Sequence, residues 1–291
     1  MVRTRMVAAE GVQLALAESS AIGGLPILFL HGVGRRFVSF GPLLPHVACR
    51  WPVLGPDHRG HGASERGGGK YHVVDYVADT CAVLTGAVAG AVVIHGHSLG
   101  ALVALGTAAL LPRRVAALIL EDPPGPRFLS GLHHTGYGPL FELFQHHAGS
   151  PLPVPVLARR LAEARVPPPA GGAPRRLGDV RDAASLRFTA RCLIDTDPAV
   201  FTPLLDGTWL AGQPWRETLA AIRCPVLLLR ADPALGGMLP TDDADEIERA
   251  IGDVTRVECR GVGHAIHGQA PELLARFLVP FLDALGDFAE T

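Results

Sequence analysis

Short, unbroken apolar runs recur along the chain, each bounded by Gly, Pro or Asp. Pro26–Leu30, Pro52–Leu54, Ala91–Ile94, Val115–Leu120 and Pro225–Leu229 are of this kind, and Val254–Cys259 is a weaker version. A run apolar at every position suits a strand covered on both faces, as in a parallel sheet. Val2–Ala8 and Val12–Glu18 predict an opening pair of strands. Between the runs the apolar period becomes helical. Tyr71–Val88 sets Val74, Val77, Cys81 and Leu84 at helical spacing, and Leu99–Leu111 is apolar almost all round, as a helix buried against a sheet would be. Ala244–Ile251 and Pro271–Leu285 close the chain, with Pro271 suited to a first helical turn. Strands alternating with helices predict βαβ crossovers, hence an α/β fold with a mostly parallel central sheet flanked by helices.

The alternation lapses between Pro123 and Trp215. This stretch holds Pro-Pro-Gly-Pro at 123–126, prolines at 151, 153 and 155, three more at 167–169, and Gly-Gly at 171–172. Such punctuation predicts short helices and loops. The expectation is a helical cap (lid), residues 123–215, inserted after the sixth strand into a core made of 1–122 and 216–291. The segment Val166–Gly178 is expected to be a mobile connection. There is no internal repeat.

Composition narrows the classes. At 291 residues the chain suits one α/β core with an insertion. Hydrophobic residues make up 48% and charged residues 19%, which supplies a large core and excludes a disordered chain. A net charge of −2, without a basic stripe, argues against a nucleic-acid partner. The N-terminal residues lack the apolar core of a signal peptide, and no apolar run would span a bilayer, so a cytoplasmic protein without membrane insertion is expected. Five scattered cysteines without CxxC spacing fit reduced thiols.

Three glycine-rich turns carry the candidate chemistry. Gly96-His97-Ser98-Leu99-Gly100 follows one apolar run and opens a helix. That is the context of a nucleophile elbow, where small neighbours permit a sharp turn that lifts the serine hydroxyl above the sheet edge. The helix behind it offers unpaired N–H groups and a positive dipole end to a developing oxyanion. His31-Gly32-Val33-Gly34, directly after Pro26–Leu30, can aim a second backbone N–H at the same point. The amides of Val33 and Leu99 are the candidate oxyanion donors. Gly261-Val262-Gly263-His264, after the last strand, places a histidine where it can swing over the serine. His264 is preferred to His267 as the base because it follows the strand and the glycine pair. A base is required because a serine hydroxyl attacks well only as its proton is removed.

Together with Asp57-His58-Arg59-Gly60-His61-Gly62-Ala63-Ser64, these turns resemble the α/β-hydrolase superfamily, over Val2 to Leu285 apart from the cap. The resemblance implies that the Asp57–Ser64 segment is a structural loop, with His58 and His61 in structural roles. It implies an acid after one of two strands. The usual loop reads Arg230-Ala231-Asp232-Pro233-Ala234, in which Asp232 comes two residues early and Ala234 stands at the expected place. The alternative is Glu121-Asp122-Pro123, similar to the placement in haloalkane dehalogenases and zearalenone-type lactonases. Asp122 is preferred over Asp232. Either would accept the imidazole Nδ1–H and stabilise the imidazolium that forms.

The expected activity is serine hydrolysis of a small, apolar carboxylic ester or lactone through an acyl-enzyme, with no cofactor and no metal. Gly32, His97, Phe128, Tyr137 and Trp209 are candidate substrate contacts, and Phe141 and Phe144 could add to an apolar wall. His133, His134, His146 and His147 in the cap match no metal-ligand spacing. Ser98 argues against epoxide hydrolases and haloalkane dehalogenases, which use a carboxylate nucleophile. A carbon–carbon bond hydrolase or a perhydrolase would use the same triad. A small-ligand-binding protein of low turnover is the rival from another class.

Overall fold

A computed structural model of the chain describes residues 2–19, 23–169 and 172–287. Its sheet has eight strands: β1 (Val2–Ala8), β2 (Gln13–Ser19), β3 (Ile27–Leu30), β4 (Val53–Pro56), β5 (Val92–His97), β6 (Val115–Glu121), β7 (Val226–Ala231) and β8 (Val254–Cys259). They lie in the order β1-β2-β4-β3-β5-β6-β7-β8. β1 and β2 pair antiparallel, β2 meets β4 antiparallel, and every later pairing is parallel. The expected α/β architecture is thus present. The elbow strand runs further than its apolar stretch suggested: β5 continues through Gly96 and His97, because His95 and His97 pair in register with Ile119 and Glu121.

The all-apolar runs make sense once both faces of the sheet are seen to be covered. In β3, Leu28 and Leu30 enter one core, while Ile27 and Phe29 enter the other. β7 divides likewise, Val226 and Leu228 against Leu227 and Leu229. Successive side chains on a strand point to opposite faces, so a central strand needs an apolar residue at each position. The first face carries helices α1 (Val73–Gly86) and α2 (Leu99–Leu110), and the second carries α7 (Pro271–Asp287). The buried side of α1 is Val73, Tyr76, Val77, Asp79, Thr80, Val83 and Leu84, rotated from the stripe drawn through Val74 and Cys81. The rotation has a polar cause: Asp79 points inward to bind the buried Arg59, at 2.6 and 2.7 Å.

Between β6 and β7 the chain forms α3 (Tyr137–His147), α4 (Val154–Glu163) and α5 (Ala183–Ile194), several shorter helical turns, and a two-residue ribbon pairing 165–166 with 175–176. α4 and α5 bury Leu157, Leu161, Leu186 and Leu193 in the α1–α2 core. Of the expected mobile connection at 166–178, residues 170 and 171 lie outside the described residues. α6 (Thr241–Ala250) follows β7. Among the described residues no helix is long and apolar enough to cross a membrane.

Candidate active site

The sheet's parallel strands deliver their C-terminal ends to one rim, and the candidate chemistry gathers there. Ser98 sits at φ 55°, ψ −117°, between the end of β5 and the first turn of α2. The glycines beside it are sterically required. A Cβ on Gly96 would lie 2.2 Å from the Gly100 carbonyl oxygen, and one on Gly100 would lie 1.9 Å from the Leu30 carbonyl oxygen. The Ser98 amide donates to Glu121 O at 3.0 Å, which ties the turn to the neighbouring strand. Among the described residues only two non-glycine residues have positive φ, Ser98 and Asp122 at 46°. Such conformations cost of order 1–3 kcal/mol each and persist where the surroundings over-determine them.

Asp122 is fully buried just past β6, and its carboxylate is surrounded by donors. Oδ1 accepts the Ala231 amide at 3.1 Å, and Oδ2 accepts the Met238 amide at 2.7 Å and His264 Nδ1 at 2.7 Å. The Ala231 amide ends β7 and the Met238 amide lies on the loop beyond it, so that strand and its loop hold Asp122 in place. Asp232 performs a different task. It accepts Ala234 N at 3.0 Å and Gly261 N at 2.9 Å, closing a turn and bracing the start of the loop that carries His264. Those two bonds, Gly261's first, hold its carboxyl below the ordinary value. The structure brings Asp122 to His264 and gives Asp232 no bond to either histidine of that loop.

The histidine loop is pinned by a second, unforeseen carboxylate. Glu121 has no exposure to solvent. Its Oε1 accepts the His267 amide at 2.9 Å and His267 Nδ1 at 2.8 Å, and its Oε2 meets His95 Nε2 at 2.9 Å. Burial alone would raise the Glu121 carboxyl; His267 and the donors around it outweigh burial and hold it well below the usual carboxylate range. Burial drives His95 and His97 the other way, toward the neutral ring. His97 donates from Nε2 to the His264 carbonyl at 3.1 Å and lies against both loop histidines, with ring centres 4.6 Å from His264 and 4.8 Å from His267. Ligating atoms of His97, Glu121 and His267 fall within 4.8 Å of one another. A cation there would have to displace the donors already on Glu121.

The His31–Gly34 turn is held from behind by the Asp57–Ser64 loop. His31 Nε2 accepts the His58 amide at 2.9 Å, and His61 Nε2 accepts the Gly34 amide at 3.0 Å. Each ring turns Nδ1 to a carbonyl, His31 to Gly32 O and His61 to Arg59 O, both at 2.9 Å, which fixes a neutral tautomer. Burial lowers all three rings, His58 to about 3 and His61 to about 4. Asp57 completes the brace by accepting Phe37 N at 2.9 Å and Ala63 N at 3.0 Å. Among the described residues neither the Val33 nor the Leu99 amide has a protein acceptor. Gly32 lies so close to the elbow that a Cβ would stand 3.2 Å from Ser98 Cβ.

The candidate substrate contacts separate into two groups. Tyr137 is near the site, its ring 6.2 Å from His264, stacked on Phe141 at 5.8 Å and edge-on to Phe128 at 5.6 Å. Its hydroxyl donates to Gly236 O, and burial raises its pKa. His97 is committed to the histidine loop. Trp209 is buried in the α1–α2 core, where its carbonyl accepts the Val73 amide, and it has no bond to Ser98, His264 or Asp122. Between β6 and β7, His133 Nε2 meets Leu205 O at 2.8 Å, while His146 and His147 pack ring to ring at 4.9 Å. Sequence reasoning missed Glu121, the Met238 amide and the contacts between the 123–215 segment and the turn at Gly34–Arg36. Phe201 packs on Gly34, and Arg35 and Arg36 reach Thr189 and Asp195 at the end of α5.

These features define the class, and comparison with known proteins places the chain within it: residues 27–277 match the model of the alpha/beta hydrolase family, to which this chain belongs. It is 31% identical over 96 residues to 2-(acetamidomethylene)succinate hydrolase of Mesorhizobium japonicum, covering 33% of this chain and 34% of that one. It is 36% identical over 115 residues to Lipase LipV of Mycobacterium tuberculosis, covering 38% and 42%. The aligned stretch thus spans roughly a third of the first of these relatives. The crystal structure of E-2-(acetamidomethylene)succinate hydrolase superposes with a TM-score of 0.75 at 21% identity, over 97% of this chain and 100% of that one, which shows the shared fold.

Proposed function

We propose that this hydrolase cleaves a carboxylic ester or lactone by nucleophilic catalysis. Ser98 Oγ attacks the carbonyl carbon while His264 takes its proton, and Asp122 steadies the imidazolium. The oxyanion rests on the amides of Val33 and Leu99. Collapse breaks the bond to the leaving oxygen, which receives the proton from His264. Water, deprotonated by His264, then attacks the acyl-Ser98 ester and releases the acid. Residues 123–215 act as the cap over this site, Tyr137 and its aromatic neighbours lining the substrate side. The reading is carried by one observation: His264 Nδ1 bonded to a fully buried Asp122 at 2.7 Å, beside a serine held at positive φ. The names of the relatives support it, since they include a lipase and an enol-lactonase.

An acyl C–N bond is the second reading, favoured by a deformylase and a putative carbamate hydrolase among the similar proteins. It uses the same residues. Initial rates on 4-nitrophenyl esters, aliphatic lactones and matched anilides decide between them. Ester or lactone turnover with a burst of one equivalent, lost in Ser98→Ala, is the expected result. Turnover of anilides alone would move the assignment to the amide bond.

A further inference from the structure

The proposed chemistry uses Asp122 and leaves its neighbour Glu121 without a task. A carboxylate is costly to bury unless cations or N–H groups surround it. Among the described residues no arginine or lysine stands within 4.0 Å of Glu121, and the ionisable partners it has are the rings of His95 and His267. Three N–H groups take the place of a cation: the His267 amide at 2.9 Å, His267 Nδ1 at 2.8 Å and His95 Nε2 at 2.9 Å. Replacing a buried ionic group by an apolar one is often neutral for stability, so the fold alone does not call for this carboxylate. What it adds is direction: a bond to one backbone amide 146 residues further along the chain.

These bonds meet at the candidate triad. The Glu121 carbonyl accepts the Ser98 amide at 3.0 Å. Its peptide leads directly into Asp122, and its carboxylate takes the amide of His267, three residues after His264. One residue thus touches the nucleophile turn, the acid and the base loop. His97 makes a second tie. It precedes Ser98, lies in register with Glu121, and donates from Nε2 to the His264 carbonyl at 3.1 Å. Its other nitrogen, Nδ1, is buried without a hydrogen-bond partner and faces the His31–Gly34 turn, where a Cβ on Gly32 would stand 3.0 Å from it. With its ring centre 4.6 Å from that of His264 and 4.8 Å from that of His267, His97 is a spacer among all three glycine-rich turns. Phe40 closes the group, 4.6 Å from His267 and 5.4 Å from His95.

We infer that Glu121 and His97 are positioning residues for the hydrolysis, tying the nucleophile, the acid and the base loop into one frame that keeps His264 in place beside Ser98. The inference rests on the hydrolase reading and deepens it. The frame acts through its bonds and not through the Glu121 charge. It acts on kcat, because His264 moves protons in both steps while substrate binding does not need it.

The test compares variants that break the bonds with variants that keep them. Glu121→Leu removes the acceptor of His267, and His97→Leu removes the donor to His264. Glu121→Gln keeps an oxygen for the His267 amide and Nδ1–H and turns its NH2 toward His95 Nε2; His95 accepts there by moving its proton to Nδ1, which has no partner to lose. His97→Gln keeps a donor near the place of Nε2. On 4-nitrophenyl butyrate, kcat is expected to fall about 10- to 100-fold in both Leu variants with KM within about threefold, as an ångström's misplacement of the base predicts. Both Gln variants recover most of that loss. The downfield proton NMR signal of His264 Nδ1–H reads the frame without substrate: it broadens through faster exchange in the Leu variants and is kept in the Gln variants. Thermal melts establish folding, and if Glu121→Leu does not fold, His97→Leu decides. Folded Leu variants with wild-type kcat, a loss confined to KM, or Gln variants as impaired as the Leu variants would overturn the frame while leaving the hydrolase reading intact. If the wild type turns over no ester, the hydrolase reading fails and the NMR signal decides alone: broadening in the Leu variants would still support the frame, and an unchanged signal would overturn it.

Discussion

Replacing Asp122 by Asn separates the charge of the acid from its shape. Position 122 has φ 46°, which Asn tolerates better than most residues, so the backbone need not move. The two carboxylate oxygens take three N–H groups, from Ala231, Met238 and His264. An Asn amide has one oxygen. With that oxygen toward Met238 and His264, the NH2 faces the Ala231 N–H, and stability falls by about 1–3 kcal/mol for an unpaired buried donor. With the amide flipped, His264 must accept at Nδ1 and carry its proton on Nε2, where it cannot take the proton of Ser98. Either way the imidazolium loses its counter-charge. The expected fall in kcat/KM is about 10³ to 10⁴, or roughly 4–5.5 kcal/mol of transition-state stabilisation. Asp232→Asn touches only Ala234 N and Gly261 N, so its rate should stay within about threefold of wild type, as for a substitution away from the reacting groups. The assay is initial-rate kinetics on a 4-nitrophenyl ester, with urea melts to separate rate from stability. A folded Asp122→Asn protein within tenfold of wild type, or an equal loss in Asp232→Asn, refutes this assignment of roles.

Two further outcomes follow from the scaffold. His58 and His61 are neutral in the fold, at about 3 and about 4, so the unfolded chain takes up protons first as pH falls. Their contribution is complete above the unfolded value near 6.5 and is lost below it, about 2 kcal/mol each by pH 5. Urea melts at pH 7.5 and 5 should show the loss, and His61→Gln should shrink it by about 2 kcal/mol; an unchanged difference in that variant would count against the neutral-ring brace. Gly100→Ala drives a Cβ to 1.9 Å from the Leu30 carbonyl oxygen and should cost more than about 4 kcal/mol or abolish folding, whereas Gly68→Ala, at φ 58° with open space around it, should cost only about 1–2 kcal/mol. Near-equal melting temperatures for the two would contradict the close approach of β3 to the elbow.

What could be read from the sequence was local. Each glycine-rich turn declares itself because its residues are contiguous and their neighbours alternate strand and helix, so Ser98, His264 and the donors at Val33 and Leu99 stood out together. What stayed hidden depends on partners far apart in the chain. Glu121 ends an apolar strand and looks like a cap on its turn, yet it receives His267 from 146 residues away. Asp79 sits in a helix whose buried face cannot be drawn correctly until Arg59 is known to point at it. Trp209, a plausible pocket aromatic by composition, is spent on the α1–α2 core. The two acids after β6 and β7 differ in sequence only by their flanks; tertiary packing brings Asp122 to His264 and sets Asp232 to brace Gly261.

The central claim is that Ser98 is an activated nucleophile, and it can be tested without knowing the substrate. Intact mass is measured after incubation with a fluorophosphonate probe, on wild-type protein and on Ser98→Ala. The account predicts a single adduct on the wild type, mapped to Ser98 and absent from the variant. No adduct on folded wild-type protein, or an adduct that survives in Ser98→Ala, would contradict it.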